Sequence, residues 1–476
     1  MTVTPLDDAP EVCRLTAETL TALYAAGELS PVEVVDAVLG RIDTITARFN
    51  GFRYVDAEGA QAAARASERR WRCGTPLGAA DGVPTTIKDI IWVRDWVARY
   101  GSLTTPDTPA VSDAPAVAHL RAAGAVLVGM TTVPEFGWKA VTDSALDGIT
   151  RNPWDPTRTP GGSSGGAAVA AATGAGTLHL GTDGGGSIRV PAAFTGTVGL
   201  KPSFGRVPAF PMSSFGSVAH LGPMGRSVAD VARMLRVMAR PDPRDAYQSF
   251  APEVVADEMV GDLRDARIGI WATPPFGAVE PDVADGFGRA LAVLEDLGAE
   301  LVEISLPQEN LHDVFRTLWS AGAAQRLRGM APESRALIDP GLQAIARVGG
   351  LLTLDDLADA STARAAFTAA VERLFDTDVD LIVSPSTAVS AFAAGQEVPA
   401  DRGLERWTEW AGFSYPMNLT QQPALSVPAG LTPDGLPLGL QIIGAKGADL
   451  DVLGAGLAFE IATAGGSRLQ PAERTA

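Results

Sequence analysis

Three short stretches of this 476-residue chain carry side chains that together could perform acyl transfer. Residues 82–88 (GVPTTIK) end in Lys88, residues 161–166 (GGSSGG) hold two adjacent serines, and residues 181–189 (GTDGGGSIR) hold one more. A serine hydroxyl can attack a carbonyl carbon when a neighbouring base accepts its proton. Glycines remove side chains where backbone N–H groups would approach a substrate oxygen. The three stretches therefore predict a nucleophile, a proton relay and a base.

Lysine is rare in this chain, which makes Lys88 informative. Lysine and arginine together number 38, yet lysine occurs at only four positions. A guanidinium cannot lose its proton in a protein, whereas a desolvated ammonium can become a general base. The apolar residues on both sides of Lys88 indicate a buried strand end, where an isolated charge is costly. Lys88 is therefore the predicted base.

Helices and strands alternate along the chain and should position these groups. A helix is predicted over residues 57–72, followed by a buried strand over residues 83–91 that carries Lys88. A short alanine-rich helix is predicted over residues 167–172, with its N-terminal N–H groups aimed at the site. A strand–helix–strand unit is predicted over residues 267–304. The alternation indicates an α/β fold in which helices cover a sheet.

Charge and composition exclude several classes of protein. A formal charge of −18 argues against nucleic-acid binding, which needs clustered basic residues. The N-terminus lacks the features of a signal peptide, and no apolar run is long enough to span a membrane. Cys13 and Cys73 form no metal-binding pattern. We expect a cytoplasmic enzyme without metal, cofactor, nucleic-acid partner or membrane contact.

One competing motif is the nucleophile elbow of α/β-hydrolases, because residues 161–165 match G-x-S-x-G. That elbow needs a strand leading into the serine, but Pro153, Pro156 and Pro160 crowd the approach. It also needs a histidine base, and none of the four histidines stands in a glycine-marked loop. An esterase of this type remains an alternative, as does a catalytically idle binding protein, which the intact serines and lysine disfavour.

The ordered motifs resemble the signature of the amidase signature family. Residues 161–166, 181–189 and 199–202 match it in order and spacing, and residues 435–441 match a further landmark. The resemblance covers nearly the whole chain. It implies a single large mixed, mostly twisted central β-sheet with helices on both faces.

The resemblance assigns the catalytic roles. Ser187 would be the nucleophile, Ser163 the relay after a cis peptide bond, and Lys88 the base. The backbone N–H groups of Gly184, Gly185, Gly186 and Ser187 would form the oxyanion hole. Around these groups we expect three supporting residues, Ser164, Asp183 and Arg189. Asp183 and Arg189 should pair and hold the loop rigid. Gly184 departs from the family, which often has a larger residue there.

The substrate predicted from this resemblance is an aryl or alkyl amide, an anilide, or an ester or carbamate (urethane) sharing the same carbonyl. The alternative is the glutamine-hydrolysing component, called A, of a tRNA-dependent glutamine amidotransferase. That branch places an acidic residue where this chain has Ala411, among aromatic residues typical of an apolar pocket. The predicted pocket residues are Met130, Phe136, Trp138, Phe210, Trp410, Phe413 and Tyr415.

One amidase domain is predicted over residues 1–476. Its parts are an N-terminal helical region (about 1–75), the signature core (about 76–235), a substrate-wall and sheet-edge region (about 236–410) and a C-terminal return to the core (about 411–470). The expected partner is a small-molecule amide or carbamate substrate, and a homodimer is compatible with the resemblance.

Overall fold

The computed structural model describes residues 5–248, 259, 261–400 and 402–464. Its strands are β1 (Phe52–Val55), β2 (Pro84–Lys88), β3 (Val126–Thr131), β4 (Asp143–Ser144), β5 (Gly148–Ile149), β6 (Leu178–Asp183), β7 (Val198–Lys201), β8 (His220–Gly225), β9 (Arg267–Ile270), β10 (Glu300–Glu303), β11 (Leu381–Pro385), β12 (Ala424–Leu431) and β13 (Pro437–Ile443).

The α-helices run between and around these strands. They are α1 (Ala17–Ala26), α2 (Pro31–Phe49), α3 (Ala57–Arg72), α4 (Pro115–Ala122), α5 (Gly165–Thr173), α6 (Arg189–Thr195), α7 (Val228–Met238), α8 (Pro281–Asp296), α9 (Leu311–Leu327), α10 (Pro332–Arg335), α11 (Pro340–Gly349), α12 (Leu354–Thr377), α13 (Tyr415–Thr420) and α14 (Asp449–Thr463). None of these helices is both long and apolar enough to cross a membrane.

Eleven of the described strands form one mixed sheet in the order β1-β3-β2-β6-β8-β7-β12-β13-β11-β9-β10. β2 pairs in parallel with β3 and β6, and β9 pairs in parallel with β10 and β11. The strands between these two groups pair in antiparallel fashion. The predicted α/β fold with a large mixed sheet is confirmed.

Both faces of the sheet are buried. Successive residues of a strand point to opposite faces, so two neighbouring residues show what packs on each face. Ile442 belongs to a hydrophobic cluster that also holds Val117 of α4 and Val231 of α7. Its neighbour Ile443 belongs to a second cluster, with Phe315 of α9. Helices therefore cover the sheet on both sides, and α9 belongs to the layer that reaches the site.

Several helix boundaries agree with the sequence analysis because their signals are local. The helix predicted over residues 57–72 is α3, and the alanine-rich segment forms α5. The strand predicted over residues 83–91 ends earlier, at Lys88, because Ile90 N–H and Ile91 N–H both donate to the Lys88 carbonyl and turn the chain. Lys88 is thus the last residue of its strand.

Candidate active site

Lys88 lies at the carboxyl end of β2, beside the carboxyl end of β6. The two strands are parallel neighbours, with Ile87 opposite Leu180. Parallel neighbouring strands end at the same edge of a sheet, so Lys88 meets Thr182 and Asp183 there. The sheet thus brings the first and third motifs together.

The second motif reaches this edge through the turn that leads into α5. Ser164 precedes the first residue of α5, and the Gly162–Ser163 peptide bond is cis, as the resemblance implies. A Cβ atom placed on Gly137 would lie 3.2 Å from Ser163 Oγ, and Gly137 has a φ of +69°, which glycine tolerates best. Gly137 therefore gives the Ser163 hydroxyl its room.

The Lys88 amine is fully buried among hydroxyl groups. Its Nζ lies 2.7 Å from Ser163 Oγ, and 2.8 Å from both Ser164 Oγ and Thr182 Oγ1. Burial lowers the pKa of Lys88 well below its usual range, and the charge of Asp183 opposes this only in part. An uncharged amine has a lone pair that can accept a hydroxyl proton. Thr182 is a contact that the sequence analysis missed, although it stands next to Asp183.

Asp183 organises the glycine loop that follows it. Its Oδ1 accepts from Gly186 N–H at 2.7 Å, and its Oδ2 accepts from Ile188 N–H at 3.1 Å. Arg189 Nη2 donates to Oδ1 at 2.9 Å and Arg189 Nε to Oδ2 at 3.0 Å, with both side chains fully buried. The expected pairing of Asp183 with Arg189 is present.

Arg189 in turn ties the loop to distant parts of the chain. Nη1 donates to Gln441 Oε1 at 2.7 Å and to the Ser414 carbonyl at 2.9 Å, and Nη2 donates to Asn418 Oδ1 at 2.6 Å. Burial by itself would raise the pKa of Asp183, but Arg189, Asn418 and Lys201 outweigh it and lower that pKa. Gln441 lies in a motif that the sequence analysis recognised, but the contacts of Gln441 and Asn418 with Arg189 were not predicted.

Among the described residues, three of the four N–H groups predicted for the oxyanion hole lack a hydrogen-bond partner, and the fourth is engaged within the loop. Within the described residues, the N–H groups of Gly184, Gly185 and Ser187 have no hydrogen-bond partner. Gly186 N–H is used by Asp183, so Gly186 is corrected from an oxyanion donor to a residue that fixes the loop. Gly186 has a φ of +120°, and a Cβ atom there would lie 2.6 Å from Ser414 Cβ. Its glycine is therefore required by packing as well as by backbone conformation.

A cavity of about 280 Å³ opens beside the loop. Ser163, Thr182, Gly184 and Ser187 all line it. Most of the remaining wall is apolar or aromatic: Ile90, Ile91, Trp92, Tyr100, Phe136, Phe204, Val207, Phe210, Met212, Phe215 and Trp319. The cavity therefore presents a reactive end and an aromatic chamber.

Only two of the predicted pocket residues, Phe136 and Phe210, line this cavity. The prediction was wrong for five buried side chains that pack in the core instead: Met130, Trp138, Trp410, Phe413 and Tyr415. Trp410 stacks on Phe194 with ring centroids 5.9 Å apart. A Cβ atom on Gly185 would lie 2.7 Å from the Trp407 ring, so this aromatic segment supports the loop rather than the substrate.

The aromatic residues that do line the chamber come from other elements. Trp319 of α9 stacks on Phe215 with ring centroids 3.7 Å apart. A Cβ atom on Gly184 would lie 2.9 Å from Trp319 Cζ3, so the indole occupies the space that a side chain at position 184 would need. The helical spacing of Phe315, Trp319 and Arg326 places them on one face of α9, and this was the available sequence signal.

The histidines do not supply a base to the serines. Within the described residues, Ser163 Oγ makes its hydrogen bond with Lys88, and no histidine bonds to Ser163 or Ser187. His312 Nε2 lies 2.9 Å from Thr408 Oγ1, and burial lowers the pKa of His179 to about 3. His220 lines the cavity, but its Nδ1 is 2.9 Å from the Val218 carbonyl oxygen. This arrangement disfavours the histidine-dependent elbow.

Comparison with known proteins agrees with the geometry. A family model described as Amidase matches residues 33–453. The A component of the glutamyl-tRNA(Gln) amidotransferase of Chloroflexus aurantiacus is 36% identical over 481 aligned residues, covering 94% of this chain and 97% of that protein. The structure of a bacterial aryl acylamidase of the amidase signature family superposes with a TM-score of 0.88 at 29% identity, covering 96% of this chain and 97% of that one. A 6-aminohexanoate cyclic dimer hydrolase superposes with a TM-score of 0.85 at 26% identity, covering 95% and 98%.

Proposed function

The chain belongs to the amidase signature family, and from that membership we propose that it hydrolyses the carbon–nitrogen bond of linear amides through an acyl-enzyme on Ser187. The observation that carries the mechanism is the buried Lys88 amine, which lies 2.7 Å from the Ser163 hydroxyl and has a lowered pKa. A lowered pKa increases the uncharged fraction of the amine, which is the form that can accept a proton.

The reaction begins when the Ser187 oxygen attacks the amide carbonyl carbon. The Ser187 proton passes to Ser163, whose own proton passes to the neutral Lys88. The negative oxygen of the tetrahedral intermediate is stabilised by the N–H groups of Gly184, Gly185 and Ser187, each donor contributing about 3 kcal/mol. When the carbon–nitrogen bond breaks, the proton returns to the leaving amine, and water then hydrolyses the acyl-enzyme by the same proton route.

Ser164 and Thr182 hold the base in position. Ser164 Oγ lies 3.2 Å from the Thr182 carbonyl and donates its proton to that oxygen, so it can accept from Lys88 at the same time. Thr182 Oγ1 contacts Nζ from another side. The lysine lone pair is then left to face Ser163.

The aromatic chamber supports a substrate with an apolar or aryl group, such as an anilide or aryl-alkyl amide. Esters and carbamates present the same carbonyl to Ser187 and belong to the proposed range. A stand-alone amidase would catalyse this hydrolysis without a second polypeptide.

A second candidate is the A component of a glutamine amidotransferase, favoured by the 36% identity to such a protein over 94% of the chain. Position 411, which we expect to be acidic in that branch, is Ala411 with no exposed surface. A glutamine ammonium would therefore lack a carboxylate from this position. The largely apolar wall of the cavity favours the stand-alone amidase.

Substrate class is tested by assaying the purified chain alone with p-nitroanilides, small aliphatic amides, glutamine and aryl carbamates. We expect turnover of the anilides and weak or no turnover of glutamine. Glutaminase activity that appears only with added partner proteins would instead support the amidotransferase.

The nucleophile is tested by labelling with a fluorophosphonate. Ser187→Ala should abolish labelling, whereas Ser213→Ala, which changes another serine of the cavity wall, should retain it. Labelling that survives Ser187→Ala would refute the assignment of the nucleophile.

A further inference from the structure

Arg326 places a cation in the wall of the largely apolar chamber, whose lining also includes Asp245, a carboxylate that accepts hydrogen bonds from Ala209 N–H and Tyr247 N–H. It lies near the end of α9, seven residues after Trp319, and both side chains line the cavity together with Ser163 and Ser187. Its guanidinium carbon lies 4.0 Å from the ring centroid of Phe136 and 5.0 Å from that of Tyr100. Phe136 adjoins Gly137, the residue that gives Ser163 its room. The cation is therefore close to the reactive end of the cavity.

The Arg326 guanidinium has no hydrogen-bond or ion-pair partner within the described residues. Its Nε is buried and makes no hydrogen bond, and no carboxylate forms an ion pair with it. The faces of the two aromatic rings stabilise the positive charge, but they do not replace hydrogen-bond acceptors for the guanidinium N–H groups. A guanidinium without such partners keeps N–H donors for a planar acceptor.

Glu135, whose charge acts on Arg326, is already engaged. Its Oε1 accepts from Ser102 Oγ at 2.5 Å, and its Oε2 accepts from Asp339 N–H at 2.6 Å. Glu135 thus contributes long-range attraction to Arg326 but no hydrogen bond.

Tyr100 provides a second donor beside the cation. Its hydroxyl oxygen accepts from Trp92 Nε1 at 2.8 Å, and within the described part of the chain its own proton has no acceptor. Tyr100 also lines the cavity. Two unused donor groups, one of them charged, therefore border the same chamber.

We propose that Arg326 and Tyr100 form a subsite for a carboxylate of the substrate, so that the preferred amides carry an apolar body and an anionic end. This rests on the proposed amidase function. A carboxylate would form charge-assisted hydrogen bonds with the guanidinium, in the paired geometry that arginine favours, and would accept a hydrogen bond from the tyrosine hydroxyl. The aromatic rings of the chamber would enclose the apolar body.

Matched substrate pairs test the subsite. Succinyl p-nitroanilide and butyryl p-nitroanilide differ by a terminal carboxylate on the acyl side, and butyryl 4-aminobenzoate and butyryl 4-toluidide differ on the amine side. Arg326→Met should lower kcat/KM for the carboxylate member of at least one pair by about 10- to 100-fold, the usual weight of a hydrogen bond to a charged group. The neutral members should change by less than about 3-fold, because the chamber that holds their apolar body is retained.

Control variants separate a local contact from a change in overall charge. Arg316→Met removes a positive charge from the same helix at a half-exposed side chain and should leave both members of each pair unchanged. Arg326→Lys should retain part of the preference, since it keeps the charge without the planar fork. Equal losses for charged and neutral substrates, or no loss for either, would overturn the subsite.

A binding measurement keeps this test independent of catalysis. In the Ser187→Ala protein, 4-phenylbutyrate and 4-phenyl-1-butanol are titrated while tryptophan fluorescence is followed, since Trp92 and Trp319 line the cavity. The carboxylate should bind more tightly, and adding Arg326→Met should remove that difference. If none of the amides is hydrolysed, the proposed function fails, but this titration still tests the subsite. Equal affinity for the two ligands would refute the carboxylate subsite.

Discussion

Changing Asp183 to asparagine removes the charge that organises the nucleophile loop. In the native chain its carboxylate accepts hydrogen bonds from Gly186 N–H, from Ile188 N–H and from two nitrogens of Arg189. Asparagine can supply one acceptor oxygen, but its amide group would face N–H donors on the other side. The variant therefore leaves a fully buried guanidinium without its counter-charge.

The size of the effect follows from the burial of this pair. Removing one partner of a buried ion pair costs about 3 to 5 kcal/mol. An unfolding entropy of about 2.1 cal/mol/K per residue gives roughly 1 kcal/mol/K for 476 residues. We therefore expect the midpoint of thermal unfolding to fall by about 3 to 5 °C.

The loss of unfolding free energy in the Asp183→Asn variant should hardly depend on pH between about 5 and 8. Burial acts to raise the pKa of Asp183, but Arg189, Asn418 and Lys201 lower it overall, so the native carboxylate stays charged across that window. A carboxylate with a lowered pKa stabilises the fold above its unfolded pKa of about 3.9, and its contribution declines as the pH falls through the native pKa. The gap between wild type and variant should therefore narrow only under acid conditions.

Calorimetry of wild type and Asp183→Asn at matched scan rates measures the shift, with fluorophosphonate labelling as the functional readout. The control is Asp262→Asn, which breaks an ion pair with exposed Arg264 and should leave the midpoint unchanged. An unfolding midpoint and a labelling rate equal to those of wild type would refute the idea that Asp183 holds the loop.

Three further changes probe the base, the chamber and the histidine alternative. Because catalysis needs neutral Lys88, kcat/KM should rise with pH through the lowered native pKa, and Lys88→Met should reduce kcat by about 10² to 10⁴-fold; a flat pH profile would contradict a lysine base. Gly184→Ala brings a Cβ atom within 2.9 Å of Trp319 and should lower kcat/KM about 10-fold. Adding Trp319→Leu should restore kcat/KM, and a double variant no more active than the single variant would exclude this clash. His312→Ala should retain activity in the p-nitroanilide assay, because its ring contacts Thr408 and Phe276; inactivity in a folded protein would revive the histidine-dependent elbow.

The candidate reactive groups could be proposed from the sequence because each is marked by neighbouring residues. Lys88 is a rare lysine at the end of an apolar run, and Asp183 and Arg189 flank a run of glycines. The helix α3 begins at the Asp56 cap, whose side chain accepts from Gly59 N–H, so its start is also encoded locally. Features determined within a few residues are the ones that sequence patterns describe well.

The chamber could not be located in this way because its wall depends on which elements pack together. Trp410 and Phe413 are aromatic residues on either side of Ala411, yet they pack in the core, while Trp319 and Arg326 lie on a helix without a motif. β8 was missed for a related reason. Its Gly222 and Pro223 oppose a strand assignment, but tertiary pairing places it between β6 and β7.

The contacts of Arg189 have a consequence for how activity is acquired during synthesis. The serines and the lysine are all translated by residue 187, but Arg189 finds its acceptors at Asn418 and Gln441. Gln441 lies on β13 at a sequence separation of 252 residues from Arg189. A nascent or truncated polypeptide that stops before β13 therefore contains every reacting group but leaves its buried arginine incompletely paired. We therefore expect the proposed hydrolysis of amides only from a chain that includes β13.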